Sequence, residues 1–155
     1  MANVAINPIT LLVLVTTARL EEGEVMVTVA DPTTSYGTNP AEPDRVAVIG
    51  GVGEHLAPDQ VHTFVRDQLA AANLDGKRVC LVVPDGTRTC PLPLLMGAAY
   101  EALHDRAAAV TVVIALGTHQ GMEEDHLARH LGFEPGARDR RYPGWTIINH
   151  DQPFL

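Results

Sequence analysis

Two stretches decide how this chain folds: residues 79–95, VCLVVPDGTRTCPLPLL, and residues 109–127, AVTVVIALGTHQGMEEDHL. Each opens on a short run rich in β-branched residues, passes through a Gly/Thr/Pro loop, and ends in apolar residues at helical spacing. Strand–loop–helix units in succession predict a parallel sheet with right-handed crossovers. Both loops would then leave the sheet at its carboxyl edge, where ligands bind beside a topological switch point. The first loop carries Asp85, Thr87 and Arg88; the second carries Gly117, Thr118 and His119.

The same pattern extends in both directions. Residues 58–74 predict a helix, with Pro58 in the first turn and Val61, Phe64, Val65, Leu69 and Ala72 on one face. Residues 78–84 predict a buried strand, and a helix follows from near Leu92 to near Arg106. A strand over 109–117 leads to a helix over 122–132, closed by Gly132. Glu123 and Glu124 suit the positive end of that helix. Residues 135–145 read as a polar, basic loop, and WTIINHD (145–151) as a last strand. Upstream, ITLLVLVT (9–16) and EVMVTVA (24–30) read as strands joined by the acidic turn EEGE (21–24). DPTTSYGTNPAEPD (31–44) is a long loop or linker, and RVAVIGG (45–51) a short strand. The expected fold is α/β: a Rossmann- or flavodoxin-like, mostly parallel sheet with helices on both faces. Residues 1–45 form an irregular β-rich segment and 46–155 the α/β core.

With 155 residues and 46% hydrophobic content, the chain can bury a real core. A formal net charge of -8 and the lack of any Lys/Arg run argue against nucleic acid or an acidic membrane as partner. Cys80 and Cys90 fit neither a zinc spacing nor a disulfide framework. Cys80 reads as core and Cys90 as a small loop-packing residue, which together point to a reducing cytoplasm. Residues 8–16 are apolar, but no basic stretch precedes them and they are too short to span a bilayer.

In PDGTR, Asp85 can accept hydrogen bonds from the backbone that follows it, and alone it would be a turn aspartate. Arg88, three residues on, changes that reading, because its fork suits a carboxylate or phosphate. A salt bridge to Asp85 is the plainer alternative. Thr87 either donates to a ligand oxygen or holds the turn. In GTHQG, Gly117 and Gly121 permit close backbone approach, and His119 stands where a general base would. His126 and His130, at i and i+4, could bind a metal but lack the HExxH arrangement, so they read as a solvated helix face. His104 reads as exposed, His55 and His62 have no partner pattern, and His150 is a neighbour of the site at the same edge. GGVGEH (50–55) lacks a full GxGxxG and a Walker lysine, and is rejected as a nucleotide loop. No metal site is expected.

The loops D85-G-T87-R88-T-C-P and G117-T-H119 together resemble the N-terminal domain of the lactate racemase family, the nickel-pincer-nucleotide enzymes. The resemblance covers about residues 45–150. It implies an isomerase that racemises or epimerises a 2-hydroxy acid, a histidine taking the hydroxyl proton while hydride passes to the nickel cofactor. By resemblance His119 is one of two proton-transfer bases, Arg88 a substrate-carboxylate clamp, and Asp85 a polar contact to substrate or cofactor. Thr87, Gly117 and Thr118 complete the substrate-facing loops. The family's second histidine, cofactor-tethering lysine and nickel-ligating histidine lie in segments beyond Leu155, and TCP replaces the commoner RPVP-like continuation. The expectation is therefore that this chain alone holds no pincer nucleotide and is inactive. It is read as an excised domain or a split or truncated member that needs a missing C-terminal domain or partner chain. The face so exposed would favour a homo-oligomer. The competing reading is a noncatalytic α/β module that binds a small carboxylate or phosphate anion, or a partner protein.

Overall fold

The computed structural model describes residues 9–13, 15–16, 27–28, 49–50 and 55–150. Its main sheet has four parallel strands: β1 (Ile9–Val13), β4 (Arg78–Pro84), β5 (Ala109–Ala115) and β6 (Trp145–Asn149), in the spatial order β1-β4-β5-β6. Two short strands, β2 (Val15–Thr16) and β3 (Val27–Thr28), pair antiparallel in a separate ladder. The helices are α1 (Pro58–Ala71), α2 (Leu92–Leu103), α3 (Glu124–Leu131) and α4 (Arg138–Arg141).

Alternation along the strands sets the two faces of the sheet. Register aligns Val79 with Val110 and Trp145, and Leu81 with Val112 and Ile147. These residues, with Val83 and Ile114, are buried in one cluster with Val61, Val65 and Leu69 of α1, Leu95 and Ala99 of α2, and Leu127 and Leu131 of α3. The other face aligns Cys80 with Thr111 and Thr146, and Val82 with Val113 and Ile148. It is only partly covered by described residues, and Ile148 is 46% exposed.

The α/β reading with a parallel sheet holds, but two of its details change. Among the described residues the helices pack on one face of the sheet, not on both. The strand order also runs one way through β4, β5 and β6, so no reversal lies between the two candidate loops. Successive right-handed crossovers in one direction stack their helices on one side. Cys80, expected in the core, lies half-buried on the other face, where burial raises its thiol pKa. Strand β1, from the segment read as separate, pairs with β4 in the main sheet. ITLLVLVT is divided between β1 and β2, and EVMVTVA contributes only Val27–Thr28 to a strand among the described residues. The expected strand over 45–51 lies largely outside them; Ile49 and Gly50 are not in a strand.

Local chemistry explains the element ends. The side-chain oxygen of Gln60 accepts the Ala57 N–H at 2.8 Å, satisfying a donor at the start of α1. At its other end Arg106 donates to the carbonyls of Leu69, Ala70 and Ala72, and its Nε binds Asp75 at 2.5 Å. Helix α3 stops at Gly132, whose φ of 79° is left-handed. The segment read as a basic loop contains α4, which presents Arg138, Arg140 and Arg141 from one short turn. Next to it Tyr142 is fully buried, and its hydroxyl donates to the Leu131 carbonyl at 3.1 Å.

Candidate functional site

Register places the two loops side by side. Pro84 is paired with Ala115 at the ends of β4 and β5, so the chain enters both loops at the same level. Each loop closes with a four-residue turn. The Arg88 N–H donates to the Asp85 carbonyl at 3.3 Å, and the His119 N–H to the Leu116 carbonyl at 3.0 Å. In the second turn Gly117 has a φ of 59°, which a side chain would resist. Arg88, Thr118 and His119 are exposed at this edge.

Asp85 joins the loops. It is only 6% exposed, yet its two oxygens are engaged by three donors. Oδ1 accepts the Thr87 N–H at 3.1 Å and the Thr87 hydroxyl at 2.5 Å. Oδ2 lies 2.5 Å from Nδ1 of His119. Burial pushes the Asp85 carboxyl up, but hydrogen bonds from Thr87 and His119 outweigh it and hold the carboxyl below its ordinary range. An ionised carboxylate only accepts, so Nδ1 carries the proton of this bond; in the neutral ring that tautomer leaves the lone pair on Nε2. The His119 side chain is 56% exposed, and Nε2 has no partner among the described residues.

Of the residues singled out in the sequence, the structure brings Asp85, Thr87 and His119 into direct contact. It leaves Arg88 beside them without an ion pair among the described residues. The alternative of an Asp85–Arg88 salt bridge is therefore not what forms. Thr87 holds the turn and the carboxylate. Asp85 faces His119 and Thr87 rather than standing open as a polar contact. His150 sits at the same edge, its N–H donating to the Ile114 carbonyl at 2.9 Å.

Three residues matter more than the sequence suggested. Asn149, at the end of β6, clamps the second loop: it accepts the Met122 N–H and donates to the Met122 carbonyl, both at 3.1 Å. Gly121 leaves room for it, since a Cβ there would lie 3.3 Å from Asn149 Nδ2. His130, read as solvated, donates from Nε2 to the Pro84 carbonyl at 2.9 Å. His126 packs against the first loop, its Nε2 3.1 Å from where a Gly86 Cβ would be. The i, i+4 spacing on a helix directly after the GTHQG loop was the visible signal; the helix's place across the sheet edge was not.

Among the described residues no group of three or more His, Cys, Asp or Glu is placed to hold a metal ion. Asp85 is taken up by Thr87 and His119, and His130 by the Pro84 carbonyl, so no set of nickel ligands stands assembled at this edge among the described residues. Cys80 and Cys90 are not joined in a disulfide. No helix among the described residues is long and apolar enough to cross a membrane.

A family model described as the lactate racemase N-terminal domain matches residues 61–152, more than half of the chain. No curated protein gives a significant match. A crystal structure of a Thermotoga maritima protein is similar at 22% identity with a TM-score of 0.49, the match covering 62% of this chain and 22% of that one.

Proposed function

Since the chain belongs to the lactate racemase N-terminal-domain family, we propose that its loop edge is the substrate-facing half of an isomerase that interconverts 2-hydroxy-acid stereoisomers. The observation that carries the reading is the Asp85–His119 pair, whose imidazole presents an Nε2 without a partner among the described residues, at the edge where Arg88 likewise makes no ion pair among them. In this proposal Arg88 binds the substrate carboxylate through its two-pronged fork. His119 Nε2 takes the proton of the adjacent hydroxyl and returns it. Asp85 does not touch substrate; it orients the imidazole and stabilises the cation that forms, a role known from other Asp–His pairs. Thr87 fixes Asp85, while Gly117 and Thr118 bring the backbone close to the substrate.

The family implies a nickel-pincer nucleotide, which would supply the hydride step. Carboxylate binding and proton transfer fall to this chain's own residues. The rest of the machinery would come from a further domain or partner chain. Two cysteines not joined in a disulfide fit a reducing, cytoplasmic setting.

The test is stereoisomer interconversion by a complete, cofactor-loaded enzyme carrying this domain, read by a chiral assay on lactate and other 2-hydroxy acids. His119→Ala is expected to lower kcat by about 10²–10⁴-fold. Arg88→Ala is expected chiefly to raise KM. Undiminished turnover by the His119→Ala enzyme would sink the proposal.

A further inference from the structure

Away from this edge, a cavity of about 530 Å³ is lined by Arg129, Arg140 and Arg141 together with Gly132, Phe133, Glu134 and Ala137. It shares no residue with the candidate site. We propose that this cavity is a second, separate binding site, one that takes a small oxyanion bearing phosphate or paired carboxylates.

The chain has 19 acidic and 11 basic residues, so cations are the scarce charge, and some of them pair within the fold. Arg66, Arg106 and Arg138 do, pairing with Asp67, Asp75 and Glu124. Arg129, Arg140 and Arg141 do not: among the described residues none of them makes an ion pair or a side-chain hydrogen bond. The lining sets three guanidinium groups against one carboxylate, Glu134, leaving an excess of positive charge for a ligand to neutralise.

The three arginines come from two elements, the last turn of α3 and the short helix α4, which the chain folds back to face one cavity. Arg141 is held in place. Its guanidinium lies 4.9 Å from the Tyr142 ring centroid, and Nη2 passes 3.5 Å from where a Cβ of Gly97 would stand. The floor is apolar, with Phe133 9% and Ala137 7% exposed. An apolar floor lowers the local dielectric and strengthens each contact to an anion. All three cations are arginine, whose rigid forks match the planar geometry of carboxylate and phosphate oxygens. The volume lies in the range of small-ligand sites.

The test is titration of the 155-residue chain with inorganic phosphate and, separately, with malonate, at constant ionic strength, followed by NMR at the backbone amides and arginine side chains. The expected result is saturable shifts confined to residues 129–141. The Arg140→Gln/Arg141→Gln double variant should bind at least about ten-fold more weakly, since each fork removed forfeits charged hydrogen bonds. An unchanged melting temperature in that variant shows that the loss is not unfolding. Saturation by phosphate alone identifies a phosphorylated ligand, and saturation by malonate alone a carboxylate one. The proposal fails if neither anion saturates, if the double variant binds as well as wild type, or if Arg88→Gln abolishes the binding.

Discussion

Asp85 and His119 lie 34 residues apart in sequence and 2.5 Å apart in space, and most of what is specific about the site follows from that contact. A buried carboxylate is costly unless its oxygens are satisfied; three donors satisfy these. The folded Asp85 pKa lies below the ordinary one. Its contribution to stability is therefore fully present above the unfolded value of about 3.9 and is lost as pH falls through the folded value. Chemical denaturation across pH should show wild type more stable than Asp85→Asn at neutral pH, the gap closing below about pH 4. A gap constant down to the most acid conditions would mean that the carboxylate charge is not what Thr87 and His119 stabilise. The same variant should lower kcat of a complete enzyme by more than it raises KM, because Asp85 acts through the imidazole.

The elements around the site owe their positions to a few polar or glycine residues. Helix α3 ends where Gly132 takes a left-handed φ and passes tight against α2: a Cβ there would lie 2.5 Å from Pro93 Cβ. Gly132→Ala must accept both the left-handed backbone and the clash. It is expected to cost at least about 2 kcal/mol in a urea unfolding experiment. Asn149 ties β6 to the loop that carries His119. Asn149→Ala strips both polar groups of Met122 of their partners and should cost about 1–3 kcal/mol. Hydrogen exchange should show faster opening at residues 117–122 than in wild type, with the β4 amides unaffected.

At the scale of the whole molecule, the described helices and the four-stranded parallel sheet share a core, with Leu81 of the central strand β4 fully buried. Leu81→Ala should cost about 2–5 kcal/mol, measured by the shift of the urea midpoint at constant slope. Much of this layer was legible in the sequence. RVCLVVP is β4 over the expected range, and the helix expected from near Leu92 begins there, because β-branched runs, proline and apolar spacing act within a few residues. Gly132 could be read as a helix terminator for the same local reason. The identities of the two loops were also local: Asp85, Arg88 and His119 follow their strands directly. Nothing local could show that Asp85 would meet His119 rather than Arg88, since that depends on the in-register pairing of β4 with β5. Nor could periodicity place α3 over the first loop, with His130 on the Pro84 carbonyl, or gather Arg129, Arg140 and Arg141 around one cavity. Local sequence determined which segments are strands and helices and which residues stand at their ends. Tertiary packing alone decided which of those residues touch, because side-chain partners far apart in sequence are set by strand register and crossover direction.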